Sequence, residues 1–255
     1  MNLGSNYAFK KATLGEQTSN VATTKGIGLK STMMLGFVFI TAIAVMLNIV
    51  RLIEVFGAGV LYVYIGAYIL NFILQLIICF VPSTTKVLSI PYSISEGLII
   101  GALVGILEFA IPGDGIALAS LALIITVAIF LGACILYSTG VIKVGQKFRA
   151  FILAAGLGIV IGSLVVGIIG LFNPEFVNTV FGSNSTIGLI ISVVCVILAS
   201  LYVVASLDNA NRIVEAGVDK KYEWSAAFGI TINVVWLFLE VFRLLLILYN
   251  RKSNN

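Results

Sequence analysis

Long apolar runs recur along the whole chain, and each is long enough to cross a bilayer as a helix. They lie at about 31–50, 57–81, 89–110, 116–137, 150–172, 186–207 and 225–249, and one crossing needs roughly 20 apolar residues. A transmembrane β-barrel would show short segments of alternating polarity instead. Because these runs are continuous, the sequence predicts an all-α polytopic membrane protein with seven transmembrane helices.

Charged residues are too scarce for a surface that faces water everywhere. They make up 10% of the 255 residues, whereas 60% are apolar, and soluble domains carry about 25% charged residues. Lys and Arg lie between the apolar runs, without the basic clusters interleaved with aromatics that would indicate nucleic-acid binding. We therefore expect the lipid bilayer as a partner and no nucleic acid.

The positions of Lys and Arg predict an orientation with the N-terminus in the cytoplasm, because cytoplasmic segments carry the excess of positive charge. In that orientation eleven of the 15 basic residues are cytoplasmic, namely Lys10, Lys11, Lys25, Lys30, Lys86, Lys143, Lys147, Arg149, Arg212, Lys220 and Lys221. We predict a polar tail over 1–29, a seven-helix domain over 30–250 and a polar tail over 251–255. The expected location is the plasma membrane, with the first span as an uncleaved anchor.

Histidine is absent, which excludes Ser-His-Asp and Cys-His catalysis and metal sites of the HExxH type. Cys79, Cys134 and Cys195 lie in three different runs, as expected of isolated buried thiols. An aspartyl-type intramembrane protease would need Gly-x-Gly-Asp, and the Gly113-Asp114 pair falls in a short loop instead. We expect a protein that is not an enzyme, with no metal site.

Local signals predict how some helices meet. The link at 51–54 is short, so spans one and two are expected to be antiparallel neighbours. Pro91 is expected in the first turn of span three, where proline is tolerated. The pairs Gly101/Gly105 and Gly158/Gly162 each lie one turn apart, a spacing that predicts close helix packing.

Carboxylates inside the apolar runs are the candidate functional groups, because a charged group in a bilayer persists mainly where it pairs or lines a polar pathway. Four acids qualify, and the last of them falls near the outer end of its span: Glu96, Asp208, Glu240 and Glu108.

A structural explanation competes with a functional one at each acid. Arg243 follows Glu240 by three residues and Arg212 follows Asp208 by four, so each acid has a base on the same helical face. Glu96 has no basic residue at helical spacing, so it must find a partner elsewhere or hold a proton.

Two acids that approach one another in a site of low dielectric cannot both ionise cheaply, so one keeps its proton. Such a pair can hold two helices together through the shared proton. Losing that proton adds charge, breaks the contact and can bind a cation. Carboxylate oxygens suit calcium better than soft metals.

Three stretches near the C-terminal end resemble the last two helices of the Bax inhibitor-1 family: DNANRIVEAG at 208–217, KKYEWSAAFG at 220–229 and WLFLEVFRLL at 236–245. More narrowly, they are similar to a bacterial branch of this transmembrane Bax inhibitor motif family. The third span is similar to the same branch through Pro91-Tyr92, Glu96-Gly97-Leu98, Gly101 and Glu108, and the start through Ser5-Asn6 and Phe9-Lys10-Lys11.

The resemblance implies a fold in which the other six helices enclose the last one. It also implies a pH-sensitive calcium leak governed by an acidic pair, which by position is Asp208 and Glu240. Glu240 stands where better-known members have Asp. Glu96 is a further candidate for the ion pathway, and the candidate counter-charges are Arg51, Arg212 and Arg243.

The sequence therefore favours a calcium or cation leak channel with an intramembrane pH sensor. No resident cofactor is expected, with Ca2+ as a transient occupant. One alternative is a proton-coupled secondary transporter that uses the same acids as a relay. Another is a regulator that binds membrane-protein partners through a cytosolic loop at 209–223.

Overall fold

The computed structural model describes residues 20–57, 59–142, 144–173, 175–177 and 185–253. The described residues form seven long helices: α1 (Thr24–Leu47), α2 (Gly59–Phe80), α3 (Thr85–Ala110), α4 (Asp114–Ser138), α5 (Gln146–Phe172), α6 (Thr186–Glu215) and α7 (Tyr222–Ser253). All seven are long and apolar enough to span a membrane. The predicted all-α fold with seven spans is confirmed. Most of the predicted N-terminal tail, residues 1–19, lies outside the described residues.

Several helices extend beyond their predicted ends. The hydroxyl of Thr23 accepts a hydrogen bond from the amide of Gly26 at 2.9 Å, and this N-cap starts α1 at residue 24 rather than at about 31. Helix α6 reaches Glu215 rather than 207, and α7 reaches Ser253. The reason is that hydropathy locates the lipid crossing, whereas a helix continues into the polar region beyond it.

The helices alternate in direction. We call the side where α1, α3, α5 and α7 begin the N-terminal face, and the other side the opposite face. Thr85 and Ser225, near the starts of α3 and α7, have hydroxyl oxygens 3.3 Å apart at the N-terminal face. At the opposite face the hydroxyl of Tyr249 donates to Asp114 at 2.7 Å, joining the end of α7 to the start of α4.

Helices α3 and α7 form the centre of the bundle. In the most apolar stretch of each span, 56% of the α3 residues and 50% of the α7 residues are buried, against 6% in α5. Helix α7 packs against α1, α3, α4 and α6, whereas α2 packs mainly on α3, and α5 on α6. Enclosure of the last helix by all six others is not confirmed.

Glycines bring α1 and α3 into close contact. A Cβ on Gly97 would collide with the carbonyl oxygen of Val38, and one on Gly101 would collide with the backbone of Ala42. A Cβ on Gly105 would lie 2.9 Å from the Cβ of Ile49, the first residue of a short helix that follows α1. The predicted packing role of Gly101 and Gly105 is confirmed.

The same prediction is wrong for α5. Ideal Cβ atoms on Gly158 and Gly162 would meet nothing within 4 Å. Both residues are exposed on the bundle surface, so their spacing does not mark an interface between described helices.

Two further local predictions are wrong. Spans one and two are separated by a short helix, Ile49–Phe56, and α1 and α2 both pack on α3 rather than extensively on one another. Pro91 is the seventh residue of α3, beyond its first turn, because the helix already begins at Thr85.

We expect Gly101→Leu to destabilise the protein, because overpacking a tight contact costs about 1–3 kcal/mol. Gly158→Leu is the matched control, since its side chain would enter open space. Thermal melting of the purified protein in detergent should show a lower Tm for Gly101→Leu alone. Equal Tm values for the two variants would contradict the proposed α1–α3 contact.

Candidate functional site

Asp208 lies at the centre of an ionic cluster at the N-terminal face. Its carboxylate accepts a hydrogen bond from Nε of Arg212 at 2.9 Å and also pairs with the guanidinium of Arg149. The hydroxyl of Tyr137 donates to Oδ1 at 3.3 Å. We call these four residues the Asp208 cluster. They come from α4, α5 and α6, so the carboxylate joins three helix ends.

The predicted i,i+4 partner, Arg212, is confirmed as an ion-pair partner of Asp208. Arg149 was missed as a partner because it lies 59 residues away and local spacing carries no information at that distance. Arg149 lies near the start of α5, a helix that packs mainly on α6 and has few other contacts among the described helices. The Asp208–Arg149 contact is therefore one of the few bonds that hold α5 to the bundle.

A cavity of about 930 Å³ lies beside the Asp208 cluster. Polar side chains such as Ser31, Thr32 and Asn211 line it, and its inner part is lined by Leu35 and Phe130. Those two residues also line a smaller cavity of about 80 Å³. Every residue around the smaller cavity except a threonine is apolar, which makes it an unfavourable place for an ion.

We call this smaller, apolar cavity the apolar constriction. It continues the 930 Å³ cavity inward between α1, α3, α4 and α7, and it is lined by Leu35, Val38, Phe39, Ile100, Leu123, Thr126, Val127, Phe130, Val234, Val235 and Phe238. A polar path from the N-terminal face therefore ends at these side chains.

Glu96 lies in a second large cavity, of about 660 Å³, which we call the Glu96 cavity. Only 8% of the residue is exposed. Asn71 and Tyr92 line the same cavity, and the side-chain amide of Asn71 donates to the carbonyl of Tyr92 at 3.4 Å. No Lys or Arg is among the described residues that line this cavity. Glu96 therefore has polar neighbours there but no counter-charge.

Glu240 lies next to the Glu96 cavity. Its Oε1 accepts a hydrogen bond from the indole N–H of Trp236 at 3.1 Å, and its Oε2 lies 3.9 Å from Nη1 of Arg243. Trp236 also lines the Glu96 cavity. The predicted i,i+3 partner, Arg243, is confirmed.

Asp208 and Glu240 have different partners and lie at different depths. Asp208 lies seven residues before the end of α6 at Glu215, and Glu240 lies 18 residues after the start of α7 at Tyr222. With 1.5 Å per helical residue, the difference of 11 residues corresponds to roughly 16 Å of depth. The structure thus places each acid beside its own arginine, and their joint role as a sensor stays a prediction.

Two other candidates lie toward the opposite face. Arg51 is exposed on the short helix that follows α1, far along the bundle from Asp208. Glu108 is half-buried and accepts hydrogen bonds from the amides of Gly113 at 2.6 Å and Ile116 at 2.8 Å. Since these amides lie at the start of α4, Glu108 satisfies donors that a helix N-terminus leaves unpaired.

Glu223, the last residue of the predicted cytosolic loop at 209–223, is fully buried. Its carboxylate accepts hydrogen bonds from the amide and hydroxyl of Thr23, at 2.8 and 3.0 Å, and pairs with Lys30. Gly26 leaves room for it, because a Cβ there would collide with the carboxylate. One feature of the sequence could have indicated this ion pair: Gly26, which leaves space for the carboxylate, lies one helical turn before Lys30.

The residues before α1 pair with the loop between α6 and α7. The amide of Ala22 donates to the carbonyl oxygen of Val218 at 2.8 Å, and the amide of Lys220 donates to the carbonyl oxygen of Asn20 at 2.9 Å. Together with Glu223, these bonds attach the start of the described chain to the start of α7. Within the described residues, no group of three or more side chains is arranged as a metal site.

The chain matches the model of the family described as Bax inhibitor 1 like over residues 4–250. This is nearly the whole chain, so the protein belongs to that family, as the stretches at 208–217, 220–229 and 236–245 indicated. No curated protein and no solved structure matches it.

We expect Glu223→Gln to lower the Tm by at least about 5 °C, because removing one partner of a buried ion pair leaves the other charge unpaired. The double variant Lys30→Met with Glu223→Gln should recover part of the loss. Glu54→Gln, at an exposed position, is the control and should melt like the parent. A double variant less stable than Glu223→Gln would contradict this role of Lys30.

Proposed function

We propose that this member of the Bax inhibitor 1 like family is a pH-sensitive cation leak, with calcium as its ion. The proposal rests mainly on Glu96. This acid is buried midway along α3, and no Lys or Arg is among the described residues that line its cavity. An acid in that environment must hold a proton or attract a cation. Carboxylate and side-chain amide oxygens are ligands that calcium prefers, and Glu96 and Asn71 supply both types to this cavity.

The Asp208 cluster supplies a pH-responsive contact in this proposal. Ionised Asp208 pairs with Arg149 and Arg212, while Tyr137 of α4 donates to it and Glu215 of α6 lines the same cavity. Protonation removes the negative charge that both guanidinium groups share. Helix α5 then loses one of its few attachments.

The direction of this response differs from the one expected of a proton-sharing acidic pair. In that pair, loss of a proton breaks the contact, whereas here gain of a proton does so. We therefore propose that acid opens the pathway. The barrier to be relieved is the apolar constriction, whose side chains a hydrated ion cannot cross without a change in helix packing.

The proposed orientation has the N-terminal face in the cytoplasm of a plasma-membrane protein. That face carries Lys30, Arg149, Arg212, Lys220 and Lys221, which agrees with the excess of positive charge in cytoplasmic segments.

A proton-coupled transporter is the second candidate, and the volume of the Glu96 cavity favours it. At about 660 Å³ the cavity falls in the range of small-molecule sites, about 300–1,000 Å³. The regulator alternative has less support, because most of the loop expected at 209–223 is helical and the rest pairs with residues 20–22.

We expect Asp208→Asn to increase calcium flux at neutral pH by about tenfold and to flatten the pH dependence. The amide cannot hold both arginines by charge, so the acid-stabilised state should prevail. The measurement is calcium entry into liposomes that contain a calcium dye and the purified protein, at several pH values. Flux that matches the parent at every pH would overturn the role of Asp208.

We expect Glu96→Gln to lower calcium flux at least tenfold at every pH, because the pathway loses its buried negative charge. Glu54→Gln is the control for loss of an exposed carboxylate. Glu240→Gln should have a smaller effect, since Arg243 already compensates that charge. If the parent moves no calcium but couples a pH gradient to solute uptake, the transporter replaces the leak.

A further inference from the structure

We propose that the Glu96 cavity binds a hydrophobic organic cation, which enters from the bilayer between α2 and α5. The basis is the juxtaposition of one buried carboxylate with a set of aromatic rings in a cavity that opens at mid-membrane depth. This inference goes beyond the ion leak, because such a ligand would bind whether or not calcium passes.

The charge of the cavity selects a cation. Glu96 is the one charged residue among the described residues that line it, and burial makes an unpaired carboxylate there costly. A bound cation offsets that cost most effectively when its own dehydration costs little free energy. A quaternary ammonium or phosphonium ion, whose charge is covered by carbon groups, meets this condition better than a small metal ion.

Aromatic side chains around the carboxylate suit the same ligand. The described lining includes Tyr68, Phe72, Tyr92, Tyr202 and Trp236. The face of an aromatic ring attracts a cation within about 6 Å of its centre, most strongly when water is excluded. Aromatic cages of this kind recognise quaternary ammonium groups.

Several of these rings are held in place before any ligand arrives. Tyr202 and Trp236 pack edge to face with centroids 5.3 Å apart, and the hydroxyl of Tyr202 donates to the carbonyl of Ile152 at 2.7 Å. Tyr92 packs edge to face on Phe228 at 4.9 Å. A preorganised site loses less entropy on binding.

The size of the cavity also fits an organic ligand. A calcium ion takes oxygen ligands at about 2.3–2.6 Å, so a dedicated calcium site needs far less space than the 660 Å³ present. The described lining residues with amide groups are Asn71, Gln75 and Asn233, enough to orient a polar edge of a ligand without filling the cavity.

The mouth of the cavity faces hydrocarbon. Its rim includes Tyr68 and Phe72 of α2 and Leu153 and Leu157 of α5, all exposed. Because α2 packs mainly on α3 and α5 on α6, these two helices leave a gap over α7. The rim residues of α5 lie seven to 11 residues after its start at Gln146, roughly 10–17 Å into the bundle, within a hydrocarbon core of about 30 Å.

Tetraphenylphosphonium is a suitable probe, since it carries one delocalised charge inside four aromatic rings. We expect radiolabelled tetraphenylphosphonium to bind the purified protein saturably by equilibrium dialysis in detergent. Glu96→Gln should raise its Kd at least tenfold, whereas Glu54→Gln should leave it unchanged. Neutral triphenylphosphine oxide should not compete.

A second pair of variants tests the cavity without touching the buried acid. Leu157→Trp should raise the Kd at least fivefold by narrowing the mouth. Leu164→Trp, on the same side of α5 but outside the lining, should not. An unchanged Kd in both Glu96→Gln and Leu157→Trp, or equal competition by the neutral compound, would overturn the proposal. Saturable binding without calcium flux would reject the leak and leave this inference standing.

Discussion

The cost of placing a carboxylate where water is scarce organises this structure. Three acids meet that cost with a base: Glu223 pairs with Lys30, Asp208 with Arg149 and Arg212, and Glu240 lies beside Arg243. Glu96 has no such base: all the other described residues that line its cavity are uncharged, and the polar ones carry amide, hydroxyl or indole groups. Pairing explains the first three acids as parts of the scaffold or of a switch. The fourth, Glu96, carries the proposed function because no Lys or Arg is among the described residues that line its cavity.

The arrangement of helices connects the Asp208 cluster to the Glu96 cavity. Glycines on α3 fix α1 and α3 as a tight pair, and α7 packs against both. Helix α5 lies outside this centre and is held mainly by α6 and by Arg149. The same helix forms one wall of the cavity mouth through Leu153 and Leu157. Helix α5 therefore carries both a partner of Asp208 and part of the cavity lining.

The sequence could predict the features that depend on residues close together in the chain, but not those that depend on distant residues. Apolar runs predict the seven spans because a crossing is a local property of about 20 residues. The partners Arg212 and Arg243 were predictable because they lie one helical turn from their acids. Arg149 and Lys30 were not, because they meet Asp208 and Glu223 across 59 and 193 residues of chain. The Glu96 cavity was not predictable for the same reason, because residues from five helices that are distant in the sequence line it.

Trp236 gives the Glu96 cavity a direct route to Glu240. Its ring lines the cavity and packs against Tyr202, while its N–H donates to Glu240. A cation bound in the cavity as proposed would lie against a ring that also holds the Glu240 carboxylate. Because α7 contacts α1, α3, α4 and α6, a shift at Trp236 acts on the central helix of the bundle. Trp236 therefore links the Glu96 cavity to Glu240, whereas the joint role of Asp208 and Glu240 as a sensor stays a prediction.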